Sequence, residues 1–176
     1  MKREKLKLEI RNCEMGFTLI EAILYVAIVS LVLTALIPFG WTVIETGSQS
    51  AVEQEVSGNA RYISERILYE IRNSLGINNV SSTQIVLCET SGACATSPTT
   101  ITYSTPNVTI QNKGASAVNL NSNDTTISSL TFTNNTSGTS TKNISFVFTA
   151  KQKYTGARYD FSYSTTVQSS AEVRSN

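Results

Sequence analysis

The chain predicts an α+β protein: a long N-terminal α-helix, with a transmembrane half and an amphipathic half, packed on a C-terminal antiparallel β-sheet domain. Three patterns carry this prediction. Phe17 to Ile44 is a long apolar run, and between Ala22 and Leu33 its only polar groups are Tyr25 and Ser30. From Val52 to Leu75 apolar residues recur every three or four positions, which is helical spacing. After Gly76 the composition turns to Ser, Thr and Asn, with short alternating runs that read as strands. At 176 residues the chain accommodates one modest domain and its anchor.

The elements follow in order. Residues 1–16 form a charged leader, with Lys2, Arg3, Lys5, Lys7 and Arg11 against three Glu, a balance of +2. Residues 17–44 exceed the roughly 20 that cross a bilayer as a helix. The basic leader places the N-terminus in the cytoplasm, and Phe39 and Trp41 then fall near the outer interface. Residues 45–76 form the amphipathic helix. Val52, Val56, Ala60, Ile63, Ile67, Ile71 and Leu75 make its apolar face, and Glu53, Glu55, Arg61, Glu65, Arg66, Glu70 and Arg72 lie opposite. Arg61 with Glu65 and Arg66 with Glu70 are four-apart pairs that support the helix. Gly76 is expected to end it as a left-handed C-terminal glycine. Pro38, Gly40 and Gly47 predict a break or kink midway.

Residues 77–176 make the β-rich domain. Its expected strands are Gln84–Cys88, Thr99–Ser104, Val108–Gln111, Ala117–Leu120, Ser129–Thr133, Asn143–Lys151 and Arg158–Gln168. Ile144, Phe146 and Phe148 alternate with Ser145, Val147 and Thr149, and Tyr159, Phe161 and Tyr163 repeat that spacing beyond the Tyr154-Thr155-Gly156 turn. The two runs predict an antiparallel hairpin.

Glu21 is the chemically informative residue. An ionised side chain near mid-bilayer costs roughly 2 to 3 kcal/mol, so its presence in an apolar stem needs a reason. A cut after Gly16 would make Phe17 a free ammonium one helical turn from Glu21. A secretory signal has a shorter apolar core with a small-residue cleavage site after it, and a plain anchor has no need of Glu21.

The string Gly16-Phe17-Thr18-Leu19-Ile20-Glu21, after a short basic leader and before an apolar helix, resembles the processing signal of type IV prepilins and type II secretion pseudopilins. That family carries a Gly before the cut, a Phe after it and a Glu one turn further on, matched by Gly16, Phe17 and Glu21. Many type IV pilins also carry a proline where Pro38 stands. The resemblance runs from the leader to the amphipathic helix; beyond that it is only a likeness of style, a polar strand-rich domain.

The resemblance implies that prepilin peptidase cuts Gly16-Phe17 in the inner membrane and N-methylates Phe17. Glu21 is then expected to pair with the Phe17 ammonium of an adjacent subunit and so set the register of a filament. Local unwinding at Pro38 would make that filament elastic; a static kink is the plainer alternative. The implied partners are the peptidase, other pilin or pseudopilin subunits and the inner-membrane assembly platform. The chain would begin as a single-pass inner-membrane protein and continue in a periplasmic or extracellular filament. The helix-then-strands order is similar to minor pilins and J-type pseudopilins, whereas the K-type tip pseudopilin characteristically lacks the glutamate.

Cysteine usage agrees with this topology. Cys13 lies in the leader, so processing leaves Cys88 and Cys94 as an even pair outside the cytoplasm. The Ser91-Gly92 turn signal between them predicts a small disulfide-closed loop; two unbridged thiols are the alternative. The spacing is not Cys-x-x-Cys, so neither a redox motif nor a metal site is indicated.

Composition narrows the function classes. The chain has no His, which removes the commonest general base and metal ligand. Subtracting the leader from 14 basic and 13 acidic residues leaves nine and ten, near neutrality and unlike a general polyanion binder. Asp124 and Asp160 lack a partner with a role, and no phosphate loop or nucleophile motif is present. A structural subunit without cofactor or catalysis is therefore expected. The alternative is a filament-tip adhesin or DNA-uptake pilin, with Lys151, Lys153 and Arg158 around one turn as its weak basic signal.

Overall fold

The computed structural model describes residues 16–88, 98–137, 142–153 and 162–173. One helix, α1 (Leu19–Asn73), precedes β1 (Gly76–Val80), β2 (Gln84–Cys88), β3 (Thr99–Ser104), β4 (Asn107–Gln111), β5 (Val118–Asn119), β6 (Thr125–Asn134), β7 (Asn143–Gln152) and β8 (Ser164–Glu172). The strands form a five-stranded sheet of order β1-β2-β3-β4-β5 and a three-stranded sheet of order β6-β7-β8. Every neighbouring pair is antiparallel. The chain divides into two units, 1–44 and 45–176.

In the second unit the last turns of α1 supply Val56, Ala60, Ile63, Ile67 and Ile71 to a single core. Both sheets contribute to it: Ile85, Leu87, Ile101, Val108 and Ile110 from one, and Ile127, Leu130, Phe132, Ile144, Phe146, Phe148, Ala150 and Ala171 from the other. The alternation expected along β7 is observed, with Ile144, Phe146, Phe148 and Ala150 buried and the intervening side chains more exposed. Phe146 lies against Phe132 and Phe148, with ring centroids 6.3 and 6.2 Å apart. These offset and tilted arrangements suit the aromatic quadrupole.

Two features tie the sheets together. The backbone N–H of Ile127 donates to the Pro106 carbonyl at 2.9 Å, and that of Phe132 to the Ser82 carbonyl at 3.0 Å. Turns of the first sheet thus occupy the outer edge of β6. Asn121 holds the crossover between the sheets. Its Oδ1 accepts from the Val108 N–H, and its Nδ2 donates to Asn107 Oδ1 and to the Ser122 and Thr125 carbonyls. Replacing Asn121 with alanine would leave the N–H of buried Val108 unpaired. The expected loss is about 2 kcal/mol in urea unfolding of the full chain; an unchanged midpoint would contradict this role.

The structure corrects the sequence reading in four places. First, of the expected break or kink the break is absent: α1 is one helix through Pro38, Gly40 and Gly47. Proline removes one N–H and so one helical bond, and the surrounding apolar residues sustain the remainder. Second, α1 ends at Asn73, and Gly76 is already the first residue of β1, without a left-handed φ. Ser74 closes the helix instead, its N–H bonding the Glu70 carbonyl at 3.0 Å and its Oγ the Ile71 carbonyl at 2.7 Å. The Leu75 N–H then donates directly to the Cys88 carbonyl. Third, Glu70 is buried rather than solvated. It shares the inward stripe of Ile63, Ile67, Ile71 and Ser74, and Arg66 reaches it at 2.5 Å. Fourth, the final strand is described only from Ser164, and it extends past Gln168 to Glu172. Tyr159, Phe161 and the Tyr154-Thr155-Gly156 turn lie outside the described residues.

Candidate functional site

The residues singled out for function sit at the start of α1. Gly16, Phe17 and Thr18 precede the helix, and all three are exposed. Thr18 caps it: its carbonyl accepts from the N–H groups of Glu21 and Ala22 at 3.1 Å, and its Oγ1 lies 3.4 Å from the Glu21 N–H. Thr18-Leu19-Ile20-Glu21 has the Ser/Thr-x-x-Glu spacing of a capping box, a signal that the sequence reading passed over. The cap fixes the first helical turn, in which Glu21 sits, while Phe17 lies one residue before the cap and outside the helix.

Glu21 is set among exposed hydrocarbon. Phe17 is 82% exposed, Leu19 79% and Ile20 75%. The Glu21 carboxylate makes no ion pair or hydrogen bond among the described residues. A Cβ on Gly16 would meet no described atom within 4 Å, as is also true at Gly40, Gly47 and Gly58.

Further along, α1 is long and apolar enough to cross a membrane, and its apolar window is not buried within the chain. Three side-chain hydroxyls on this stretch bond back to the helix. Ser30 donates to the Ala27 carbonyl at 2.9 Å, Thr34 to that of Ser30 at 2.7 Å and Thr42 to that of Pro38 at 3.0 Å. Such back-bonding satisfies hydroxyls where water is absent. Ala27, Ser30, Leu31, Thr34 and Ala35 together line a shallow apolar groove along one face.

Elsewhere the expected residues are dispersed. Cys88, at the end of β2, is disulfide-bonded. Cys94, its expected partner, lies outside the described residues, as does Cys13. Lys151 and Lys153 are exposed at the end of β7, while Arg158 lies outside the described residues. On α1, Arg61 and Glu65 form an exposed pair at 2.7 Å, which holds the guanidinium pKa above its ordinary value. Arg66 also lies 5.5 Å from the Tyr69 ring centroid. A half-open cleft of ≈ 520 Å³ is lined by Arg66, Glu70, Asn73, Thr99, Asn112 and Lys113. In it the Asn112 Oδ1 is a buried acceptor with no hydrogen-bond partner among the described residues. Lys113 and Gly114 take left-handed φ angles of 48° and 76°, and the Ala115 N–H bonds the Asn112 carbonyl, the pattern of a type I′ turn.

Compared with protein-family models, with curated proteins and with solved structures, the chain matches none.

Proposed function

We propose that the chain is a structural subunit, a minor pilin or pseudopilin, of a type IV pilus or type II secretion-like filament. In this reading prepilin peptidase cuts after Gly16 and N-methylates Phe17. Residues 17–44 hold the subunit in the inner membrane with the leader in the cytoplasm, and later join a bundle of like stems. The observation that carries the reading is the exposed Glu21 carboxylate, without a partner among the described residues and four residues beyond Phe17, on a stem otherwise free of charge. A methylated amine keeps its positive charge, so the pairing survives the modification.

The α+β architecture and the apolar helix support this reading. The chemistry assigned to the chain is recognition: it is the substrate of a peptidase and a building block. Intact-mass measurement of protein extracted from its native membranes tests the proposal. The expected mass lacks Met1 to Gly16 and carries one added methyl group. Retention of the leader in cells with an active prepilin peptidase would reduce the protein to an ordinary tethered domain.

A further inference from the structure

The two edges of the β6-β7-β8 sheet differ. The outer side of β6 is occupied by the Ser82 and Pro106 carbonyls, whereas β8 has no strand beyond it among the described residues. Parity along β8 follows from its two end bonds. The Gln152 N–H donates to the Tyr163 carbonyl, and the Val173 N–H donates to the Lys142 carbonyl. Odd-numbered residues of β8 therefore face β7 in hydrogen-bonded pairs, and even-numbered ones direct their N–H and C=O groups away from it. Ser164, Thr166, Gln168, Ser170 and Glu172 are all exposed, and their outward backbone groups have no partner among the described residues.

Natural edge strands are commonly blunted by proline, lysine, a bulge or short length. β8 has none of these: it is nine residues long, lacks Pro and Lys, and pairs with β7 without a register shift. The geometry points to β8 as a docking edge for the β8 strand of a second copy of this chain, paired antiparallel about Gln168. The outward residues are symmetric about Gln168. In this register Gln168 meets Gln168, Thr166 meets Ser170 and Ser164 meets Glu172, each a hydrogen-bonded pair.

Charge agrees with that register. Glu172 is the only charged residue of β8, and it falls opposite the hydroxyl of Ser164, so no like charges oppose one another. The outward side chains are short hydroxyls apart from Gln168 and Glu172, and offer little grip to a foreign side chain. Recognition then rests on backbone register, which a two-fold-related copy meets by construction. The β6-β7-β8 sheets of the two copies would join into one continuous sheet. This association does not depend on the filament reading, because it uses no residue of the stem.

The test uses the full chain in detergent with the photoreactive residue benzoylphenylalanine in place of Thr166. Irradiation is expected to join two copies, with the adduct mapping around Ser170. The same probe at exposed Thr131 on β6 should give none, since three strand spacings, about 14 Å, would separate it from the nearest strand of the second copy. In the Thr166-probe background, Gln168→Lys sets two like charges face to face and should lower the yield about fivefold, with recovery at high salt. Ser164→Lys faces Glu172 instead and should leave the yield intact. Gln168→Pro removes an outward N–H and spares the β7 ladder, and should lower the yield about tenfold. Absence of the dimer adduct, capture of another protein instead, or equal losses for Ser164→Lys and Gln168→Lys would each overturn the proposal.

Discussion

Replacing Phe148 with alanine is expected to destabilise the 45–176 unit by about 3–5 kcal/mol, the usual range for deleting a fully buried phenylalanine. Phe148 has no exposed surface and sits on the central strand, opposite Leu130 of β6 and Val167 of β8. It also lies beside Phe146 in a core that includes the inward face of α1. Such a site cannot collapse from one side, because β7 is held by ladders on both flanks. The cavity should therefore persist and the loss lie towards the top of the range. Urea unfolding of the full chain in mild detergent, followed by circular dichroism, measures it. A change under about 1 kcal/mol would mean that the core tolerates a void at its centre. Val147, the neighbouring residue on the opposite face, is 38% exposed, and its alanine variant serves as the matched surface control.

The second large effect concerns Glu21 and rests on the proposed filament. Glu21→Ala should lower the number of subunits in sheared filaments at least tenfold, since an unmatched charge in an apolar bundle costs several kcal/mol and about 1.4 kcal/mol is already tenfold. The substitution leaves the Phe17 ammonium without its partner. Glu21→Gln tests the same point with the shape of the side chain retained, and should fail alike. Leader removal should proceed in both variants, because Gly16 and Phe17 are untouched. Normal incorporation of the alanine variant would remove the register-setting role, and a retained leader would move Glu21 from assembly to processing.

Much of the fold is legible in the sequence where burial and chemistry coincide. β2 and β3 occur at Gln84–Cys88 and Thr99–Ser104, as expected: β2 is a compact Ile-Val-Leu run, and in β3 Ile101 and Tyr103 alternate with Thr100, Thr102 and Ser104. The inward stripe of α1 is equally clear from Val56 to Ile71. β1 was hidden. Gly76-Ile-Asn-Asn-Val80 has little hydrophobic alternation, its ladder shifts register between Ile77 and Asn79, and a glycine after a helix reads as a cap. What overrides the cap is tertiary: the Leu75 N–H finds the Cys88 carbonyl, and Ser74 has already closed the helix. Glu70 was misplaced for a related reason. A carboxylate reads as solvated, yet its angular position belongs to the buried stripe, and Arg66 makes that burial tolerable.

At the candidate site the sequence supplied Gly16, Phe17 and Glu21, and the fold adds the Thr18 cap between them. The cap is a local hydrogen bond with a recognisable four-residue spacing, overshadowed by the charge within it. The open edge of β8 belongs to a different class. No residue of Ser164–Glu172 is unusual alone; the feature exists only once β7 takes one side of the strand and no described strand takes the other.

The back-bonded hydroxyls of Ser30, Thr34 and Thr42 carry a mechanical consequence. Their donor hydrogens are spent on their own helix, so two such rods lying side by side meet over greasy, low-friction surfaces. Axial sliding would encounter few polar catches. Glu21, the one charge between Phe17 and Ile44, would act as the notch that stops the travel.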